Sequence, residues 1–443
     1  MTVTELAGIG KSLSDYLLSY RPYLGVDGTA ANFGVYCRGL LSDEARKTPE
    51  PLALCAGMAV RTLQWFLTSA KWDESAVRLC LREKLQRAFA EQPATNTLGT
   101  IGIIDETSCL KKGTMTPGVQ RQYLGCVGKL DNGIVTVHLG AVRGRLKAIL
   151  DADLFLPASW DADRPRCREA GIPDSKRHEP KWKLAFWQLV SARKEGFELD
   201  WLTFDEGYGG VPTFLKALDL IGQRYSGEVP VTYRVAAGPT GARIEARQML
   251  DPEVPGPWKK LIRRLDTGGS SVWKYRSARV FGAGHWQVLV VAVNVETKEV
   301  KYFVSNARGR SAKTILRAGF SRAPIEHLFR LAKQEAGLAH FEGRSYRGLI
   351  RHLILTLVVL GFASMRAAEP RKKSASATET DPTMEQICKA VNAIVAAWMQ
   401  RYRATPETEA TCTAINYHQA RNEVARRSRI RHRENRIEML IAL

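Results

Sequence analysis

Two hydrophobic segments that each end in an acidic pair constrain this chain most. The first is Thr100-Ile101-Gly102-Ile103-Ile104-Asp105-Glu106-Thr107, apolar up to Ile104 and then acidic. A β-branched run between Gly and polar residues reads as a strand buried on both faces. Such a strand ends on an acid when the acid is solvated, paired or bound to a metal, and a plain solvated end is the simplest of the three. The pattern recurs at Leu199-Asp200-Trp201-Leu202-Thr203-Phe204-Asp205-Glu206, followed by Gly207-Tyr208-Gly209. Two strands ending this way, then a helix carrying a third acid, suit divalent metal ions and phosphoryl chemistry.

Charge narrows the partners. The 443 residues carry 65 Lys and Arg against 45 Asp and Glu, a formal charge of +20. The excess is spread along the chain, which points to a polyanion, nucleic acid before an anionic membrane. Met1 to Ser19 holds Glu5 and Asp15 and lacks a signal-peptide pattern, so a cytoplasmic protein is expected. The apolar stretch Leu349 to Met365 has Arg351 and His352 near its start. Its uncharged part is too short to span a bilayer comfortably, and it reads as a buried helix, with no membrane partner. Eight cysteines are scattered without CxxC or zinc spacing, so any metal ligands should be oxygen.

In chain order, residues 1–95 read as a helical N-terminal domain, either a DNA-binding unit or a cap on the core. Thr48-Pro49 is a helix start. Strands dominate from residue 96. The Asn132-Gly133 pair between apolar runs predicts a hairpin, giving a three-strand antiparallel meander that begins with the Asp105 strand. A helix over 183–194, the Asp205 strand, a helix over 211–221 and a strand over Val229 to Val235 follow. This is a ribonuclease-H-like order, an α/β fold with a mixed sheet, whose core begins over 96–235.

Residues 236–315 read as a β-rich insertion, with a helix over 242–249 and then strands. It is basic and carries Trp258, Trp273 and Trp286. Aromatics among Arg and Lys suit nucleic-acid stacking, although tryptophans also build the cores of small sheets. The core resumes over 316–366 with the segment from Pro324 to Glu335. There Ile325, Leu328, Phe329 and Ala332 make an apolar helical stripe, and Glu326, Arg330 and Lys333 a charged one beside it. Ordinary helix ion pairing gives the same pattern. Residues 367–381 have linker composition, and 382–443 form a basic helical C-terminal region whose Arg426, Arg427 and Arg429 suit phosphate contacts.

These motifs together resemble the DDE transposases of bacterial insertion sequences, in the insertion-sequence-four superfamily and most closely its 701 group. The resemblance is carried by Asp105-Glu106-Thr107 with Lys111-Lys112-Gly113 and Arg121-Gln122-Tyr123. Leu156-Pro157, Trp160, Ala170-Gly171-Ile172-Pro173, Asp205 and Tyr208-Gly209 extend it. So do Ile325-Glu326, Phe329, Lys333, Gly337-Leu338 and Phe341-Glu342 with Arg344. It implies Asp105, Asp205 and Glu326 as catalytic metal ligands for two Mg²⁺ ions roughly 4 Å apart, with Mn²⁺ able to substitute. It further implies that Arg322 and Lys333 support the Glu326 helix and contact DNA; Arg330, Lys111, Lys112 and Arg121 are further candidate DNA contacts. Trp273 or Trp286 would serve as a wedge against a flipped base, by analogy with relatives. The expected partners are double-stranded DNA (terminal inverted repeats and target) and a second copy of the chain in a homodimer. The activity implied is strand cleavage and strand transfer. The alternatives are a nuclease of the same fold that cuts without joining, and an inactive DNA-binding descendant. In this superfamily a tyrosine usually stands three residues before the arginine at Arg322, whereas this chain has Gly319.

Overall fold

A computed structural model describes residues 3–93, 98–251, 253, 256–264, 270–369 and 383–402, with Tyr417, Arg421, Val424, Arg427, Ser428 and Arg431. The N-terminal region is helical: α1 (Val3–Leu18), α2 (Asp27–Leu40), α3 (Pro49–Cys55), α4 (Val60–Thr68) and α5 (Glu74–Glu91). Pro49 opens α3 and Thr48 is its N-cap residue.

The sheet that follows is built around β1 (Ile101–Leu110). Strand β2 (Gln120–Leu124) lies on the first part of β3 (Lys129–Arg143), and β4 (Leu146–Leu154) lies on the second part. Strand β3 runs antiparallel to β1 along its whole length. Short helices α6 (Ala158–Ala162) and α7 (Arg164–Glu169) lead to α8 (Lys181–Lys194) and then β5 (Trp201–Thr203). Strand β5 pairs with β1 in parallel. After α9 (Glu206–Gly209) and α10 (Pro212–Leu220), Tyr225 bridges Leu202 in parallel, and that strand continues as β6 (Gly227–Val229). The antiparallel strands β1 to β4, followed by β5 and the Tyr225 segment in parallel, make the ribonuclease-H-like mixed sheet.

The predicted hairpin at Asn132-Gly133 does not form. Both residues lie inside continuous β3, opposite Arg121 and Gln120. The Asn132 amide donates to the carbonyls of Lys111 at 2.6 Å and Gly113 at 2.9 Å. The turns are placed by glycines that adopt positive φ, Gly128 between β2 and β3 and Gly144 between β3 and β4. The strand predicted over 229–235 is broken at Pro230, which has no N–H to donate, into β6 and β7 (Arg234–Val235).

The insertion begins with β8 (Ile244–Glu245) and one 3₁₀ turn, Ala246–Leu250, where a helix was predicted. Strands β9 (Lys259–Arg264), β10 (Ser270–Gly282), β11 (His285–Asn294) and β12 (Val300–Ser305) form an antiparallel sheet in the order β12-β11-β10-β9. Strand β12 pairs with β6, so this sheet grows directly from the last strand of the core. Gly227 permits the junction, because a Cβ there would lie 1.9 Å from the Phe204 ring.

Helices α11 (Ala312–Phe320), α12 (Pro324–Gln334), α13 (Tyr346–Ala368) and α14 (Met384–Tyr402) complete the described fold. The apolar α13 is the buried helix expected from the sequence. It packs on β4 and on α2, α4, α5 and α14. Its charged start has a use. Arg351 is 2% exposed and donates to the carbonyls of Phe66, Leu67, Ala70 and Trp72 at 3.3, 3.2, 2.9 and 3.0 Å. It also pairs with Glu74 at 3.0 Å. One guanidinium therefore satisfies the orphan carbonyls at the end of α4.

Arg351→Met should destabilise the protein by about 3 kcal/mol, because it strips a half-buried acid and several buried carbonyls of their cation. Melting curves check this, with the more exposed Arg347→Met as a control expected to melt like wild type. An unchanged Tm for Arg351→Met would refute the assignment.

Candidate active site

Side chains alternate faces along a strand. Asp105 and Glu106 are neighbours on β1, so they point to opposite faces of the sheet. Asp105 pairs in register with His138, and His138 packs its ring on Phe329 of α12 at 4.9 Å. The Asp105 face is therefore the α12 face. Glu106 points to the α8 side, where Lys181 meets it at 2.6 Å. The β1–β5 pairing runs to Ile103 and Thr203. Both acids of β1 thus stand just beyond the point where β5 leaves, and Asp205 follows β5 by two residues.

Asp205 is the N-cap of α9, its Oδ1 accepting from the amides of Gly207 at 3.0 Å and Tyr208 at 3.3 Å. Gly209 lets α9 lie against β6, since a Cβ there would fall 1.9 Å from the Glu228 carbonyl oxygen. The Tyr208-Gly209 motif is thus a packing requirement. Tyr208 is buried beside Phe214, at 6.1 Å between ring centroids.

Arg322 joins the acids. It donates to Asp105 Oδ2 at 2.8 Å and lies 3.6 Å from Glu326 Oε1, one helical turn on. Burial opposes its charge, yet Asp105, Asp205 and Glu326 together hold its pKa above the usual arginine range. Asp105 is 8% exposed. Burial pushes its carboxyl up to about 6; Arg322 pulls it down and the nearby Asp205 pushes it further up. The Glu326 side chain is 70% exposed. Among the described residues no three Asp, Glu, His or Cys side chains gather as a metal cage. The Arg322 guanidinium contacts both Asp105 and Glu326. The donor chemistry itself, carboxylate oxygen without thiol or imidazole, fits a hard divalent cation.

The predicted stripe on α12 is present. Ile325, Leu328, Phe329 and Ala332 are buried, while Glu326 and Arg330 face outward. Arg330 is engaged with Glu385 of α14 at 3.0 Å. Lys333 is half-buried, and Lys112 and Arg121 are exposed. Two of the expected DNA contacts are engaged within the protein. Lys111 has its ammonium on the carbonyls of Ala339 and Phe341, so it braces the loop after α12. Trp273 is 3% exposed, donates to Ser271 and packs 4.7 Å from the Phe320 ring, so it belongs to the core. Trp286 is half-buried, with the Arg279 guanidinium 4.5 Å from its ring. Arg427 is exposed, and Arg426 and Arg429 lie outside the described residues. At Gly319 a Cβ would approach the Phe303 ring to 2.6 Å, so a tyrosine has no room there. The Glu106–Lys181 pair was missed. Strand alternation applied to Asp105-Glu106 could have separated the two acids.

The Asp105 shift has a consequence for stability without metal. Its folded pKa of about 6 lies above the ordinary 3.8, so the folded state takes up the proton first as pH falls. This contribution therefore grows from about pH 7 downward and levels off near pH 4. Asp105→Asn removes it. Relative to Asp105→Asn, wild type should lose on the order of 2–3 kcal/mol between about pH 4 and pH 7.5. Melting curves in chelator across that range check the sign, and a constant gap would refute it.

The model of a DDE superfamily endonuclease family matches residues 21–275, a span that includes Asp105 and Asp205 and stops before Glu326. A protein of Microchaete diplosiphon described as the probable transposase for insertion sequence element IS701 is 32% identical over 190 residues. That similarity covers 42% of this chain and 45% of the relative, so the chain matches less than half the relative's length. With the family model spanning more than half of it, the chain belongs to the DDE superfamily endonucleases.

Proposed function

We propose that this protein is a DNA transposase that cuts at the terminal inverted repeats of an insertion sequence and joins the ends to target DNA. The observation that carries the reading is one guanidinium, Arg322, that pairs with both Asp105 and Glu326, with Asp205 close enough to act on its charge. Three acids from a strand, a strand end and a helix lie around that guanidinium in a chain of net charge +20. The relative's description supports the same activity.

Asp105, Asp205 and Glu326 would hold divalent ions, two Mg²⁺ or Mn²⁺ in its place, which neutralise the attacking and leaving oxygens of an in-line displacement. The chain's own residues do the rest. Arg322 neutralises Asp105 before DNA arrives, and a guanidinium released from that pair can hold a phosphate in bidentate fashion. Lys333, Lys112, Arg121 and the basic C-terminal region, with Arg426, Arg427 and Arg429, supply salt-sensitive phosphate contacts. Trp286, outside the core that claims Trp273, is the tryptophan for a base contact. The helical region 1–95 reads the repeats, and two copies of the chain bring two ends together.

A supercoiled plasmid carrying the inverted repeats that flank the gene, incubated with Mg²⁺, tests this. Wild type should release the segment and yield joined products. Asp105→Asn and Glu326→Gln should cut at least about a hundredfold less while gel-shift binding persists. Breaks without joining would replace transposase by nuclease. Bound ends with no metal-dependent product would leave a DNA-binding protein. Full activity of Glu326→Gln would remove that residue from the site.

A further inference from the structure

On the opposite face of β1 from Arg322 lies a cavity of about 420 Å³ that Asp205 also lines. Its walls are aromatic: Phe155 from the end of β4, His178 from the loop before α8, Trp182 of α8 and Tyr208 of α9. These rings are held in place. Trp182 and Tyr208 both pack on the fully buried Phe214, at 6.3 and 6.1 Å. His178 lies edge-on to Phe155 at 5.6 Å, with its Nδ1 at 2.8 Å from the Leu156 carbonyl oxygen. The polar groups are Glu106 and Lys181, paired at 2.6 Å, with Lys181 also above the Phe155 ring at 5.5 Å.

We propose that this cavity takes one unstacked nucleotide of the DNA strand cut at the neighbouring carboxylates. The inference rests on the DNA-cutting reading above and adds a specificity site to it. Size, chemistry and position support this occupant. The volume suits one small planar group with its sugar, whereas a base-paired duplex is far too wide. Aromatic walls bind any base by its face. The Glu106–Lys181 pair offers an acceptor and a donor to a base edge, with no uncompensated charge in the pocket. Asp205 lines the cavity, and it follows β5 where that strand leaves β1, just before Asp105. A strand with its phosphate at Asp205 therefore has this pocket within one nucleotide's reach. The lining residues lie between Glu106 and Val211, so the cavity is distinct from the insertion and from Trp286.

The test uses full-length protein and linear duplexes carrying the inverted repeats that flank the gene. One series replaces single nucleotides around the cut with abasic sites. Trp182→Ala should reduce cleavage of unmodified ends on the order of tenfold, the worth of one base–aromatic stack. At one abasic position wild type should show a similar loss, and Trp182→Ala should lose nothing further there, because ring and base act as one unit. His178→Ala, in an exposed loop, should show the same non-additivity and guards against misfolding of the Trp182 variant. If both variants cut unmodified ends like wild type, or if the losses multiply at every abasic position, the pocket proposal is overturned while the transposase reading stands. If wild type binds its ends and never cuts them, both fall together.

Discussion

Three residue pairs of parallel β-structure, Ile101–Ile103 against Trp201–Thr203, set up everything that follows in this fold. They bring two strand ends, about a hundred residues apart in sequence, side by side. They also stop early, so β1 runs on beyond its partner. Asp105 and Glu106 stand on that stretch, and Asp205 caps the helix that begins where β5 has turned away. A longer pairing would cover these acids with another strand. A shift of one residue would swap Asp105 and Glu106 between the two faces of the sheet.

The second determinant is the use of buried cations as acceptors' partners. Arg351 ends α4, and Arg82 ties α5 to β4 and α8 through Asp151, Glu195 and the Leu150 carbonyl. Lys47, from the loop between α2 and α3, donates to the carbonyls of Leu40 and Glu335. Burial lowers its pKa to about 8. Lys111 and His352 hold the carbonyls of Ala339, Phe341 and Gly337 in the same turn. The C-terminal end of the Glu326 helix is thus fastened by the N-terminal helices, by β1 and by α13. The face that carries Glu326 is left outward. Rigid support beneath an exposed acid is the arrangement a site needs when its ligand arrives from solution.

Much of this was readable beforehand because the signals are local. The Asp105 strand shows as a β-branched run. The α12 stripe follows from spacing alone, and α13 shows as an apolar run whose two charged residues had to find partners. The misreadings also have local causes. Asn132-Gly133 looks like a turn, but side-chain bonds to Lys111 and Gly113 hold Asn132 in a strand. Trp273 sits in a basic, aromatic-rich segment, yet the Phe320 ring and the insertion sheet enclose it. Lys111 reads as a phosphate ligand by its type; the carbonyls that claim it come from more than two hundred residues away.

The sequence by itself determined the acids that end two strands, the outward stripe of α12, the buried α13 and the basic charge, since each depends on neighbours a few residues apart. Tertiary structure decided which acids share a face, that Arg322 bridges Asp105 and Glu326, and that Glu106 turns away to Lys181 beside an aromatic cavity. It also decided that the insertion grows from β6 without a break in hydrogen bonding. Those outcomes depend on strand register and on contacts between distant segments, and neither is encoded in the spacing of nearby residues.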